Sequence, residues 1–493
     1  MKHTSIFLGL TFWIIGNAFS QNEMIGYQLS QSSWSGSPRA MGVGDAFGAL
    51  GADIASSQIN PAGLAQFRKS EFSFSLNYLG QKNTSKYLNT SKNDNSSNLS
   101  LSNGSIVLSS QKRRNSSWKN FNLGLSYNQN NRLNRRIRYE GINNRSSYTE
   151  AVALLANQIG IATGDSIYGP KEGFDEFADM FWFGYLIDPH PNGGYLGTTD
   201  SNFRNIEQRN SINQRGKNSQ FNASFSGNYN NQILFGAGIN FFFSDFNESN
   251  LFTELNDFEL RNQNTWDLYD FSRSYAYSAT GIGLNLGLIA LPSDHIRIGL
   301  AFQTPKYLTI NETFSDDLSV QFFSSSRNAL RFFTKEFTNS YRLVTPSKTT
   351  FSFAYLFGKM GFLSADVETI DYPSMQFSND ELNLDPVNDF LQGNFRSVVN
   401  FRVGGEYVLG KLQLRGGYGR LQSPNKEAKS FSEGTENYTV GIGLKDKKMS
   451  IELAYLYQIV TDAYSPYSTD THTPVARNRT FNRNLILGAK FRF

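Results

Sequence analysis

NLILGAKFRF, residues 484–493, closes the chain on an alternation. Leu485, Leu487, Ala489, Phe491 and Phe493 fall on one face, and Asn484, Gly488, Lys490 and Arg492 on the other, with Ile486 the one exception. A period of two marks a strand with an apolar and a polar side. Taken alone, the stretch fits the last strand of a soluble sheet as well as a strand whose apolar side meets lipid. The decision rests on how often the pattern recurs.

It recurs along the whole chain. FSFSLNY (72–78) sets Phe72, Phe74, Leu76 and Tyr78 against Ser73, Ser75 and Asn77. FNLGLSYN (121–128) does the same with Phe121, Leu123, Leu125 and Tyr127, NFRVGGEYVL (400–409) with Phe401, Val403, Tyr407 and Leu409, and SIELAYLYQI (450–459) with Ile451, Leu453, Tyr455, Tyr457 and Ile459. Aromatics make up 14% of the chain and Phe alone numbers 42, yet mean hydropathy is negative. Strands that hide their apolar half by alternation produce this combination, as in a transmembrane β-barrel with a lipid-facing exterior and a polar lumen.

The rest of the composition narrows the class. Met1–Ser20 carries Lys2, an apolar run from Ile6 to Ile15 and small residues before a cut after Ser20, which reads as a secretory signal peptide. Beyond it no apolar run of about 18 residues occurs, so helical spans are not expected. There is no cysteine, which removes disulfides and thiolate chemistry. The net charge of +4 is scattered and offers no case for nucleic acid.

Connection lengths alternate. Short links at 111–117, 228–231, 291–295, 357–360, 409–411 and 445–448 lie between long ones such as 371–395, 421–433 and 461–479. Short turns on one side and long loops on the other predict about fourteen antiparallel strands over 70–493. Pro346 in the piece 337–357 must sit above the lipid or at an irregularity. The segment 129–216 differs, because YTEAVALLANQI and GFDEFADMFWFGYL carry helical periodicity. Two short helices at the external mouth are expected there. They either cap the pore or present a capture surface for an apolar ligand through Leu154, Leu155, Phe174, Phe177, Phe181 and Trp182.

PRAMGVGDAFGALGADIASSQINPAGLA, residues 38–65, resembles the N-terminal hatch of FadL-type outer-membrane transporters of long-chain fatty acids and other hydrophobic compounds. The terminal Phe493 likewise resembles the C-terminal signal of bacterial outer-membrane barrels. The resemblance implies a hatch over 21–69 inside the barrel and passive, hatch-gated uptake by a monomer in the outer membrane of a Gram-negative bacterium. It implies a gating role for Asn60, Pro61, Ala62 and Gly63. Small residues suit a plug that fits inside a filled barrel, and Pro61 fixes φ while the Asn60 amide can satisfy nearby backbone. The family's inward-kinked third strand implies a lateral opening, for which Gly124 is the candidate because glycine marks bulges. Two features depart from the family: the helical insertion follows the third strand, and the expected lumen faces carry Asp366, Glu368, Arg402 and Glu406.

No catalytic signature accompanies this layout. GVGDAFG has the wrong spacing for a dinucleotide loop, and there is no Walker loop, Gly-x-Ser-x-Gly elbow or His-Glu-x-x-His. No metal site or cofactor is expected, and the partners are hydrophobic small molecules and membrane lipid. Two alternatives share the barrel: a component of a protein-secretion machine with a large protein partner, and an outer-membrane lipid hydrolase.

Overall fold

The computed structural model describes residues 25–31, 36–112, 116–159, 175–191, 193–198, 205–256, 265–323, 327–426 and 434–493. The expected signal peptide at 1–20, the start of the expected hatch at 21–24, and Phe174 lie outside the described residues.

Fourteen antiparallel strands close into one barrel. They are β1 (Glu71–Tyr87), β2 (Thr90–Gln111), β3 (Trp118–Arg132, continued by Arg135–Asn143), β4 (Ile206–Tyr229), β5 (Ile233–Leu255), β6 (Trp266–Ala290) and β7 (Ile296–Gln303 and Tyr307–Phe322). There follow β8 (Leu330–Phe333, Phe337–Val344 and Lys348–Leu356), β9 (Gly361–Asp371 with the short piece Gln376–Ser378), β10 (Ser397–Leu409), β11 (Leu412–Gln422), β12 (Gly434–Lys445), β13 (Met449–Tyr464) and β14 (Ala476–Arg492). Closure is made by β1 against β14, in register from Glu71↔Arg492 to Tyr87↔Ala476. The seam leaves no sheet edge, which is what a strand-built membrane protein requires.

The alternation settles which side meets lipid. Phe72, Phe74, Leu76 and Tyr78, then Phe401, Val403, Tyr407 and Leu409, are exposed on the outside, while Ser73, Ser75, Asn400, Arg402 and Glu406 are buried within. Among the described residues no helix is long and apolar enough to cross a membrane; the strands make the crossing. Pro346 sits at an irregularity, because β8 breaks between Val344 and Lys348 directly beside the break in β7 that holds Pro305.

Strands reach further out than the sequence boundaries allowed. β3 continues to Asn143 and β4 begins at Ile206, so the expected insertion at 129–216 shrinks to 144–205. The cause is visible in IRYEGIN, where Ile137, Tyr139, Gly141 and Asn143 keep facing inward above the lipid level.

The N-terminal segment 36–67 fills the lumen near its periplasmic end. It forms helix α1 (Pro38–Gly42), the single turn α2 (Ser56–Ile59) and a 3₁₀ turn over Pro61–Gln66, and it is almost entirely buried. At the other end, helices α3 (Tyr148–Ile159) and α4 (Asp175–Phe183) lie over the mouth, and α5 (Asp385–Asn394) packs beside the opening.

Candidate functional site

Short helices leave carbonyls without partners, and the barrel wall supplies them. Asn120 donates to Ala65 O and Phe67 O at 3.0 and 2.8 Å, and Asn285 donates to Ser57 O and Gln58 O, both at 3.2 Å. The Asn60 amide donates to Gly48 O at 2.7 Å and to Leu288 O of β6 at 3.2 Å, while its Oδ1 accepts from Ala62 N at 3.2 Å. Asn60 therefore caps the Pro61 turn and ties the segment to the wall in one side chain. Such contact needs glycine opposite. A Cβ at Gly287 would lie 2.0 Å from Asn60 Oδ1, and one at Gly236 would lie 2.2 Å from the Pro61 carbonyl carbon.

Charge completes the attachment. The segment 36–67 carries only Arg39, Asp45 and Asp53. Arg39 meets Glu406 of β10 through two bonds of 3.1 Å, and Glu406 also accepts from Arg415 at 2.7 Å. Asp53 pairs with Lys490 of β14, which contacts Glu452 at 3.0 Å. Burial alone would raise the Asp53 carboxyl, but Lys490 and Arg39 outweigh it and hold it below the ordinary value of 3.8. Gly48 N donates to Asp366 Oδ2 at 3.0 Å, and Arg402 pairs with Glu368 at 3.3 Å. Of the lumen charges that seemed out of place for an apolar tunnel, Asp366 and Glu406 hold the segment 36–67, and Glu368 and Arg402 pair with each other. The roles of Arg39 and Asp53 escaped the sequence reading, and the signal for them was the presence of lone charges in an otherwise neutral, small-residue stretch; Lys490 was placed on the polar face of the last strand without its partner.

Higher up, the interior becomes aromatic. Phe246, Tyr275, Tyr277, Leu308, Ile310, Tyr341, Leu343 and Phe377 form one buried cluster with Ile25 and Leu29 of the helical turn at 25–30. Beside it lies a small cavity of about 30 Å³ bordered by Leu29, Phe242, Ala279, Leu308, Lys306 and Asn130.

The wall itself parts on one side. β2 and β3 pair from Gln111↔Asn120 up to Asn103↔Asn128 and no further. Above that point a cleft of about 570 Å³ opens between Asn98, Ser100 and Leu101 of β2 and Gln129, Arg132 and Asn134 of β3, and it reaches Lys217 of β4 and Asp245 of β5. The strands are tied again higher up, by Lys92 with Glu140 and Arg138 with Asp94. The inner cavity touches Asn130 and Asn131, and the outer cleft touches Gln129 and Arg132, so the two voids flank the same stretch of β3.

Gly124, the residue singled out for an opening, lies below this gap in an unbroken ladder with Val107 and Ser224. A Cβ there would come within 3.0 Å of Leu64, so glycine makes room for the plug. The helices over the mouth also depart from an exposed capture surface. Phe181 and Leu155 are fully buried, Phe181 among Tyr148, Tyr269 and Phe271; Phe177, Trp182 and Leu154 are half-buried. Glu254 of β5 pins the arrangement by accepting from Tyr148 N, at the start of α3, at 2.9 Å, and from Ser147, Gln208 and Tyr269 at 2.6 Å each. α3 and α4 thus pack on each other and on Tyr269 and Phe271 of the wall.

These features define a class: a closed transmembrane barrel of fourteen antiparallel strands, with the segment 36–67 packed against its inward face. The same fold is found in a FadL homologue of Pseudomonas aeruginosa, with a TM-score of 0.55 and 14% identity over 94% of this chain and 99% of that one. The Pseudomonas putida toluene transporter TodX matches at TM-score 0.52 and 13% identity (94% and 99% covered), and the CymD monoaromatic hydrocarbon channel at 0.50 and 12% (94% and 98%). No protein-family model matches the chain, and no curated protein matches it in sequence.

Proposed function

We propose that the protein admits hydrophobic small molecules through a bacterial outer membrane by diffusion, with the lumen plug as a movable gate. The observation that carries this reading is the pair of voids on either side of Gln129–Arg132, one against the aromatic interior and one in the wall. The fold shared with the toluene transporter and the hydrocarbon channel supports it. Removal of an apolar molecule from water is worth about 25 cal/mol per Å² of surface, which favours its transfer to the aromatic interior without an energy source, provided the inner cavity of about 30 Å³ widens to admit it. Entry at the mouth falls to the half-buried Phe177, Trp182 and Leu154, beside the cap rather than through its core. The exit runs either through the β2–β3 gap or downward once the joint at Asn60, Pro61, Ala62 and Gly63 shifts. Long-chain fatty acids and monoaromatic hydrocarbons are the two ligand classes to try first.

The test is uptake by cells that carry the protein, at matched surface levels, with a labelled long-chain fatty acid, toluene and a sugar of similar size. Faster entry of at least one apolar probe, with the sugar unchanged, is expected. Equal rates with and without the protein for both apolar probes would remove the proposal.

A further inference from the structure

The closing seam of the barrel carries an unbalanced charge on its outer face. Along β14 the outward positions Leu485, Leu487 and Phe491 meet lipid, and next above them come Arg483, Phe481, Arg479 and Arg477. Along β1 the outward Phe72, Phe74, Leu76 and Tyr78 are followed by Lys82 and Lys86. Register places these side by side: Arg483 opposite Gly80, Lys82 opposite Phe481, Arg479 opposite Thr84 and Lys86 opposite Arg477. All five cations are exposed. None forms an ion pair among the described residues, and Arg479 rests over the Phe481 ring at 5.1 Å. No unpaired carboxylate of the adjacent strands faces this surface among the described residues, and the outward Glu140 of β3 is paired with Lys92 of β2. On β1, β2, β13 and β14 the acidic residues are Glu71, Asp94, Glu452 and Asp462; the first three are buried, and Asp462 is bonded to Arg135.

We propose that this strip binds the phosphorylated headgroup of a glycolipid in the outer leaflet. Position favours lipid over a soluble partner, because the strip begins one side-chain step above the apolar band, at the level where aromatic girdles end. Height favours a large headgroup. Two residues of a tilted strand climb roughly 5 Å, so Arg483 to Arg477 spans about 15 Å, whereas an ordinary phospholipid headgroup layer is only about 5–7 Å thick. Several phosphates on a sugar scaffold fill that depth. Arginine suits them, since its planar fork takes two phosphate oxygens at once.

The probes are a bisphosphorylated, acylated glucosamine disaccharide, the same lipid without its phosphates, and inorganic phosphate. Retention on detergent-solubilised protein is followed by native mass spectrometry. The comparison variant carries K82Q, K86Q, R477Q, R479Q and R483Q, and a milder one carries K82Q and K86Q alone; both are checked for heat-modifiable migration. A cation near an anionic lipid surface contributes about fivefold in binding. A drop of about three-thousandfold is expected for the five-site variant and about twenty-five-fold for the pair, both with the phosphorylated lipid and both weakened by salt. Equal retention of the dephosphorylated lipid, or unchanged retention by either folded variant, would overturn the assignment. Displacement of the lipid by inorganic phosphate at equal phosphate concentration would show a free-anion site instead and would overturn it as well.

Discussion

Along β6 the inward residues nearest the periplasm are Asn285, Gly287 and Ile289, and they meet the plug; further out they are Ala279, Tyr277, Tyr275, Phe271 and Tyr269, and they meet other apolar side chains of the wall and the mouth. The lower lumen holds its occupant by directed contacts, with amides on carbonyls and ion pairs at two corners. The upper lumen has bonded tyrosine hydroxyls, Tyr269 on Glu254 and Tyr275 on Glu312, but its rings and the side chains of Phe246, Phe271, Leu308 and Ile310 pack by area and shape. Directed contacts have one best geometry and fail when a partner is removed. Aromatic packing is non-directional, and it can exchange one apolar occupant for another. The contrast suits a gate below and a chamber above.

The largest effect is expected where the lower half is broken by charge. Arg39→Glu would face Glu406 inside the lumen, and removal of one member of a buried pair costs about 3–5 kcal/mol. Single-channel recordings should show conductance raised by an order of magnitude or more, with the barrel still heat-modifiable. Asn60→Ala with Pro61→Ala comes next, with a several-fold rise, because the cap on the 3₁₀ turn and the bond to Leu288 O are lost while the ion pairs remain. Unchanged conductance in both would make the two halves alike and remove the contrast.

Much of this contrast was legible beforehand, and the limits have physical causes. Alternation exposes a barrel wall to a reader of sequence, since inward and outward residues differ in every strand, and the expected number of strands holds. The plug was visible as small residues around Asn60–Pro61. Its latch was not, because Arg39 and Glu406, or Asp53 and Lys490, are hundreds of positions apart and come together only on closure. Gly124, the candidate for a lateral opening, lies in a continuous ladder close to Leu64, and the reason is related: glycine in a strand marks either a bulge or a close approach, and only the neighbour tells which. The mouth helices showed an apolar stripe, but periodicity alone does not say whether a stripe meets solvent or the wall.

A change in the upper half should separate the two functions. Tyr275→Ala or Phe246→Ala is expected to lower uptake of an apolar probe by roughly tenfold at unchanged conductance, consistent with about 3–5 kcal/mol of local packing lost at a large aromatic site. A rise in conductance equal to that of Arg39→Glu would mean that the chamber also holds the plug. The smallest effect concerns pH. The Asp53 carboxyl is held below 3.8, so its contribution to the latch is complete above that value and fades only as pH falls through the depressed one. The rise in conductance caused by Asp53→Asn should therefore be as large at pH 4.5 as at pH 7 and shrink only in stronger acid, where the natural carboxyl is itself protonated.

The central claim is that the plug must move for an apolar molecule to pass. The natural chain has no cysteine, and Ser57 Oγ of the plug lies 3.3 Å from Ser126 Oγ of β3, close enough for a disulfide between cysteines at the two positions. Uptake of an apolar probe by Ser57→Cys with Ser126→Cys should fall to background when oxidised and return on reduction. Equal uptake by the oxidised and reduced forms, with the cross-link verified by mass spectrometry, would contradict the account.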